Sequence, residues 1–469
     1  MGKRLRAAGS VAARLALRWS GTLCVLVALG SVALAQDVMR FPKPEFITGY
    51  DFPRTTEPAP TTTLQQWIDV LVLFLCLSLA SYLAVKKRSR KGIFALMMFS
   101  LAYFGFYKQG CVCPIGSIQN VAFSLFNETY AVPLTTLIFF MMPLIFAAVF
   151  GRVFCSSVCA LGAIQDAVLL FPVNVPKRIN HLLGVIPYAY LGAGVLLAST
   201  GTGFIICRYD PFIGFFRMNG NAPYLLLGAG FLLVGVFIGR PYCRYLCPYG
   251  ILLGWMSRFS KWHLSITPTK CVQCRLCEDS CPFDHIDMPN EGLDREERET
   301  GVRRLGHILL VLPLLVGIGG WIGNQLAPPL ASFDHTVLVA ERVLAEQQDP
   351  TLEQNIYSEA FGQEGRSQEE LIAAADLVRE RLAFGGWILG GFLGLVVAFK
   401  LMKMSMVRNQ RDYEVNKPTC YSCARCCPTC PSDELHMPNF VALGDLQPVH
   451  QLDRVEVPKQ EPAEVSAKS

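Results

Sequence analysis

Hydrophobic positions along this chain fall in long blocks, not in alternation. Apolar runs of about 20 residues, enough for a helix to cross a bilayer, start near Trp67, Gly92, Pro133, His181, Pro223, Leu305 and Phe384. The second is short and ends in the aromatic stretch Tyr103–Tyr107. The block pattern predicts an all-α polytopic membrane protein of about seven transmembrane helices. Five lie in a membrane domain over 67–261, and two more lie at 305–326 and 384–404. Ahead of the blocks, Lys3, Arg4 and Arg6 precede an apolar run from Gly21 to Leu34 that closes on Ala33-Leu34-Ala35. A positive start, an apolar centre and small residues at the end predict a signal peptide over 1–35, cut before Gln36. An uncleaved anchor helix is the alternative. Residues 36–66, rich in Pro and Thr, read as an extended extracytoplasmic lead-in.

Polar positions set the orientation. The run Lys86-Lys87-Arg88-Ser89-Arg90-Lys91 follows the first block, and basic loops stay on the cytoplasmic side. Counting forward, Arg152, Lys177-Arg178, Arg258–Lys261, Arg303-Arg304 and Lys400–Arg411 also fall inside, so one orientation satisfies every basic cluster. The loop 327–383 then lies outside. It holds eleven acidic against four basic residues, a net of −7, and reads as helical from Glu353 to Arg381. A solvated helical cap and a docking face for a basic partner are its two readings. The tail 441–469 is polar and reads as disordered. These calls place the protein in a bacterial inner (cytoplasmic) membrane.

Composition agrees. Hydrophobic residues make up 52% and charged residues 17%, where soluble proteins carry about a quarter charged residues. A net charge of +5 gives no nucleic-acid signal. The 18 cysteines cluster at metal-ligand spacing, which argues against a disulfide scaffold. No Cys-x-x-Cys-His occurs, so covalent c-type haem is excluded. His181 and His307 are the pair that a haem b between helices would need, and haem is not expected.

Two four-cysteine runs carry the clearest chemistry. Cys271-x-x-Cys274-x-x-Cys277-x-x-x-Cys281-Pro282 is repeated as Cys420-x-x-Cys423-x-x-Cys426-x-x-x-Cys430-Pro431. This is the bacterial two-cluster spacing, in which the fourth cysteine ligates the other cluster. It predicts two [4Fe–4S] clusters, one on Cys271, Cys274, Cys277 and Cys430, the other on Cys420, Cys423, Cys426 and Cys281. Zinc is the alternative occupant. The segments 262–304 and 405–440 both return to the inner face, forming a small split α+β ferredoxin-like module. Cys427 is spare, and Phe283 and Pro431 are expected to pack around the cubes.

A second cysteine unit repeats inside the membrane domain. Its copies are Cys111-Val-Cys113-Pro-Ile-Gly-Ser-Ile-Gln119, Cys155-Ser-Ser-Val-Cys159-Ala-Leu-Gly-Ala-Ile-Gln165 and Cys243-Arg-Tyr-Leu-Cys247-Pro-Tyr-Gly250, with Cys207-Arg-Tyr-Asp210 a looser relative. Span counting places Cys155, Cys159, Cys243 and Cys247 at the inner rim and Cys111, Cys113 and Cys207 at the outer rim. Cysteines four apart share a helix face, so the inner four are candidates for a further Fe–S or soft-metal centre. The outer three are candidates for a redox or metal role or for a disulfide. Arg152, Arg240 and Arg244 border the inner set as charge partners or topology signals. Cys76, alone in a span, reads as packing.

The Cys243-x-x-x-Cys247-Pro248 element at a span end, followed by a ferredoxin run, resembles the NosR/NapH group of membrane iron–sulfur proteins over roughly residues 67–435. The resemblance implies electron supply to a periplasmic reductase. NosR-like members serve nitrous oxide reductase and support its copper sites, and NapH-like members serve quinol-linked nitrate reduction. Cys155/Cys159 matches less closely, because Ala160 stands where the proline would be. Gln36–Gln66 is too short for the outer flavin-binding domain of NosR, and no covalent-flavin signal occurs. NapH-like chains lack the last two spans and the acidic loop. The sequence therefore reads as a membrane-bound electron-transfer protein, an electron-transfer subunit more than a stand-alone enzyme. It would link a cytoplasmic or quinone-side donor to a periplasmic flavoprotein, cytochrome or metalloreductase. The alternative is a redox assembly or regulatory factor for maturation of a periplasmic metalloenzyme. A transporter reading is weak, because the spans carry almost no charge.

Overall fold

The structure is a computed structural model. It describes residues 62–110, 113–127, 130–218, 222–266, 271, 273–289, 298–349, 352, 356–364, 367–405, 410 and 412–430. The signal peptide, most of the lead-in, Cys111, Pro431 and the tail lie outside the described residues.

The chain is mostly helical. Four stretches are long and apolar enough to cross a membrane: Thr63–Lys86, Arg178–Ser199, Thr300–Gln325 and Gln368–Ser405. The runs expected at Pro133 and Pro223 form shorter apolar helices, Leu134–Phe150 and Ala222–Gly235. The run at Gly92 starts as an α-helix over Arg90–Ser100, capped by the Ser89 hydroxyl, and loosens into a π-turn over Leu101–Tyr107.

In chain order, α1 is Thr63–Ser81, α2 Arg90–Ser100, α3 Pro114–Phe126, α4 Leu134–Phe150, α5 Val153–Ser157 and α6 Ala160–Val168. After α7 (Lys177–Leu183) come α8 (Ile186–Ser199), α9 (Ile205–Arg208), α10 (Ile213–Arg217), α11 (Ala222–Gly235), α12 (Pro241–Tyr245) and α13 (Pro248–Ser257). The rest are α14 (Leu276–Asp279), α15 (Arg298–Gln325), α16 (Ala327–Ala331), α17 (His335–Gln348), α18 (Ile356–Glu364) and α19 (Gln368–Ser405).

Three helices begin directly after a cysteine of the repeated unit: α3 after Cys113, α6 after Cys159 and α13 after Cys247. They hold 13, 9 and 10 residues. At 1.5 Å per residue these reach about 20, 14 and 15 Å, short of the ~30 Å hydrocarbon layer. Helices α3 and α13 pack along the same two neighbours, α4 and α8, and touch each other. The two ends of the repeat therefore face one interior. Cys113 and Cys159 line a single apolar cavity with Leu73, Phe104, Phe139 and Phe154.

The spans are not free of charge. Asp69, buried in α1, pairs with Lys108 at 2.8 Å and accepts the Tyr103 hydroxyl at 2.8 Å. Cys76 is buried in the apolar core, as expected for a packing residue.

Helices α15 and α19 form a hairpin over the acidic segment. Gly319 and Gly323 meet Gly386, Gly390 and Gly394 backbone to backbone, and a Cβ at Gly323 or Gly390 would strike the opposite helix's carbonyl. Small residues give this close approach, which provides the van der Waals contact that holds helices together in lipid. The segment between them is helical in α16, α17 and α18, and α19 begins at Gln368. Asp334 caps α17 by accepting the Thr336 N–H. Val337, Ala340, Leu371 and Ala375 bury together against Leu196 and Leu197 of α8.

Candidate iron–sulfur centres

The two ferredoxin runs adopt the same backbone. Gln273 and Arg275 in the first, Ser422 and Ala424 in the second, all have positive φ, between 52° and 62°. None is glycine, so each left-handed residue carries strain that the surrounding structure must hold. Left-handed residues in a turning loop can direct successive N–H groups to one side, an arrangement that binds anions. The Ser422 N–H already points at the Cys420 thiol, 3.3 Å away.

A two-residue antiparallel pair joins the segments, Ile286 opposite Val415 and Asp287 opposite Glu414. It is strengthened by Asn416 N to His285 O at 3.0 Å and Asn416 Nδ2 to Asp287 Oδ2 at 3.0 Å. This pairing brings Cys281 to Cys420, Cys423 and Cys426, and all four line one cavity walled by Phe283, Tyr421 and Leu264. The turn Cys427–Thr429 packs on α14, with the Thr429 and Ser280 hydroxyls 3.2 Å apart. Cys430 thus ends beside the Cys271–Cys277 loop. Cys427 is buried in the core next to Cys426.

Burial pushes the Cys277 thiol up to about 12, with Cys426, Cys271 and Cys274 adding to the effect. Burial, then Cys423, pushes Cys281 up to about 11. Cys420 is raised too, by burial and then by Cys423 and Cys426. Thiols this crowded ionise together only around a cation. Among the described residues, no group of three or more Cys, His, Asp or Glu closes around a single ion. Two four-cysteine sets at this spacing suit polynuclear cubes with one thiolate per iron.

The membrane-domain cysteines Cys155, Cys159, Cys243 and Cys247 also meet. Each of Cys159, Cys243 and Cys247 lies within the field of Cys155 and of one another. Cys159 and Cys247 stand at the N-cap positions of α6 and α13. A helix N-terminus carries about half a positive charge and favours thiolate over thiol. Gln165 positions the set. Its Oε1 accepts the Tyr242 N–H at 3.0 Å and its Nε2 donates to the Cys243 sulfur at 3.3 Å.

Arginines surround these thiols. Arg152 Nη2 reaches Cys155 Sγ at 3.7 Å. Arg240 is fully buried and donates to the Cys155 carbonyl and to Ser156 O at 3.4 Å. The buried carboxylate of Asp166 collects Arg90 at 2.7 Å, Arg425 at 3.0 Å and Arg240 at 3.4 Å. One carboxylate does not balance these cations. Arg90 Nη1, Arg152 Nε, Arg240 Nε, Arg244 Nη2 and Arg425 Nε are all buried without a hydrogen-bond acceptor. Buried unpaired N–H groups are costly, and charge-assisted bonds to thiolate and cluster sulfide would satisfy them. The donor set, the left-handed loop residues and these orphan N–H groups all fit anionic iron–sulfur clusters.

The second ferredoxin set and the tetrad Cys155, Cys159, Cys243 and Cys247 meet at one buried cluster. Phe283, Tyr421 and Cys423 bury as one cluster, with Cys155, Cys243 and Cys281 packed against it. Phe283 and Tyr421 meet edge to face at 5.0 Å. Arg152 and Arg240 lie over the Tyr421 ring at 4.8 and 5.3 Å. Sequence reasoning noted the arginines and Phe283, quoted Gln165 in the repeat without giving it a role, and missed Asp166, Arg425 and Tyr421. Only the recurrence of Gln six residues after Cys113 and Cys159 could have pointed to Gln165.

At the other end of the repeat, Cys113 stands at the N-cap position of α3. Cys207 is exposed, and both it and Cys113 are free thiols.

A family profile described as a 4Fe-4S binding domain matches residues 132–178 and 221–267. These stretches contain Cys155/Cys159 and Cys243/Cys247 and stop short of both ferredoxin runs. Over 159 residues the chain is 32% identical to the uncharacterized protein MJ0749 of Methanocaldococcus jannaschii, covering 32% of this chain and 59% of that protein. It is 28% identical over 205 residues to the uncharacterized protein MJ0750 of the same organism, covering 42% of this chain and 82% of that protein. The chain thus spans about three-fifths of the first relative's length. No solved structure matches. The profile match, the geometry and the four long apolar helices together support an iron–sulfur membrane protein.

Proposed function

We propose that this chain is a membrane-bound electron-transfer protein with three [4Fe–4S] sites: the two crossed ferredoxin sets and the tetrad Cys155, Cys159, Cys243 and Cys247. It links a cytoplasmic or quinone-side donor to a redox partner across the membrane, in a bacterial inner membrane with the ferredoxin runs inside. The observation that carries this reading is the packing of Cys155 and Cys243 of the tetrad against the same buried cluster, Phe283, Tyr421 and Cys423, that holds a cysteine of the second ferredoxin set. Bound clusters would supply one-electron storage at potentials set by hydrogen bonds, charge and solvent access. The chain's own residues hold the thiols at fixed spacing, exclude water with buried aromatics, and offset negative charge with Arg152, Arg240 and Arg425. The motif order resembles the NosR/NapH group, which favours a periplasmic reductase system as the acceptor.

The full chain, reconstituted in liposomes around a trapped, membrane-impermeant acceptor dye, tests this reading. Dithionite added outside should reduce the dye only in vesicles carrying the protein. Tyr421→Ala should slow dye reduction at unchanged iron content. Dye that stays oxidised with fully loaded, outward-facing ferredoxin sites would overturn transmembrane transfer.

A further inference from the structure

The repeat that builds the inner tetrad leaves a corresponding arrangement around Cys113. In the inner copy, Cys159 stands at the N-cap of α6, Gly162 follows at the third helical position and Gln165 at the sixth. In the outer copy, Cys113 stands at the N-cap of α3, and Gly116 and Gln119 hold the same places. Gln165 uses its oxygen for a backbone N–H and its nitrogen for the Leu161 carbonyl and a thiol, Cys243. Gln119 uses its oxygen in the same way, accepting the Cys207 N–H at 3.2 Å. Its nitrogen is fully buried and has no acceptor. The amide that grips a thiol in one copy therefore stands beside Cys207 in the other with its donor unused.

Two further contacts complete the set. A Cβ at Gly116 would lie 2.8 Å from Cys207 Sγ, so the glycine lets that sulfur rest on the first turn of α3. Asp210 is buried, and its charge acts on both Cys113 and Cys207. The Cys207 thiol thus lies against the first turn of α3 beside Gln119, and the Asp210 carboxylate, which accepts the Phe212 N–H at 2.8 Å, is three residues on.

We propose that Cys113, Cys207 and Asp210 ligate an additional iron–sulfur centre, with Gln119 donating a hydrogen bond to it. The proposal rests on the iron–sulfur reading of the inner tetrad through the shared repeat. Thiolates suit iron–sulfur chemistry, and the helix N-terminus favours the anionic assembly. The exposed Cys207 puts this centre where a partner can reach it. Tyr249 lies within the field of Cys113 and of the tetrad, so the two sites share one interior.

The test uses the anaerobically purified full chain, with iron and sulfide analysis and EPR. Cys207→Ser should remove one EPR signal and one cluster's share of iron while the other signals persist. Asp210→Cys should keep the iron and change that signal's g-values and potential, which a merely structural aspartate would not do. Iron and EPR unchanged in Cys207→Ser, or a Cys113–Cys207 disulfide in the anaerobic protein, would overturn the proposal. Cys155→Ser/Cys243→Ser separates the two readings. If that variant loses nothing while Cys207→Ser still loses a signal, the tetrad reading fails and the outer centre stands.

Discussion

Asp166→Asn is the sharpest single perturbation of this structure. Asp166 and Arg240 have no side-chain exposure, and Arg90 and Arg425 are 20% exposed. Arg425 sits between Cys423 and Cys426, so the carboxylate ties the second ferredoxin loop to α6. Removing one partner of a buried charge pair costs about 3–5 kcal/mol. Asparagine would leave three guanidiniums facing one neutral amide. At the lower end, about 3 kcal/mol corresponds to roughly a hundredfold shift in a local opening equilibrium. Amide hydrogen exchange over residues 413–427 should therefore accelerate by about a hundredfold, and the cluster held by Cys420, Cys423 and Cys426 should become labile. Asp166→Glu should restore much of the protection. Asp376→Asn is the control: it removes a partner of Arg379 in which the side chains are 64% and 36% exposed, and exposed pairs contribute less than about 1 kcal/mol. Unchanged exchange over 413–427 in Asp166→Asn would refute the argument that this node fixes the loop.

Other consequences are equally direct. Gly390→Val places a side chain against the Gly319 backbone and should destabilise the α15–α19 hairpin by about 1–3 kcal/mol, read as a lower Tm and weaker cross-linking between cysteines placed in the two helices. Cys281→Ser should perturb the cluster of Cys420, Cys423 and Cys426, whereas Cys430→Ser should perturb the other; EPR distinguishes the two, and the reverse pattern would negate crossed ligation. Cluster loading must release thiol protons. With Cys277 near 12 and Cys281 near 11 in the metal-free protein, apparent affinity should rise from pH 7 to pH 9, as titrated by iron–sulfide reconstitution. A flat profile would show that the thiols are already ionised.

The sequence made the ferredoxin residues legible because their chemistry is local: spacing alone brings Cys271, Cys274 and Cys277 into one loop. The shared left-handed positions Gln273 and Ser422 were not legible, because neither is a glycine. Hydropathy located the apolar blocks but not where they break. It could not show that the helices after Cys113, Cys159 and Cys247 stop short of a full crossing. Asp166 was the least visible of all. It sits in an ordinary apolar stretch, and its partners Arg90 and Arg425 lie 76 and 259 residues away. Asp69 was hidden in the same way, its role set by Lys108 and Tyr103 from the next helix.

The most direct test of the central claim is the iron and acid-labile sulfide content of the anaerobically purified full chain, compared with its Cys155→Ser/Cys243→Ser variant. Three cubes predict at least about twelve irons per chain, falling by about four in the variant while the ferredoxin EPR signals remain. About eight irons, unchanged by the double substitution, would contradict a cluster in the tetrad. Zinc in place of iron would contradict the account as a whole.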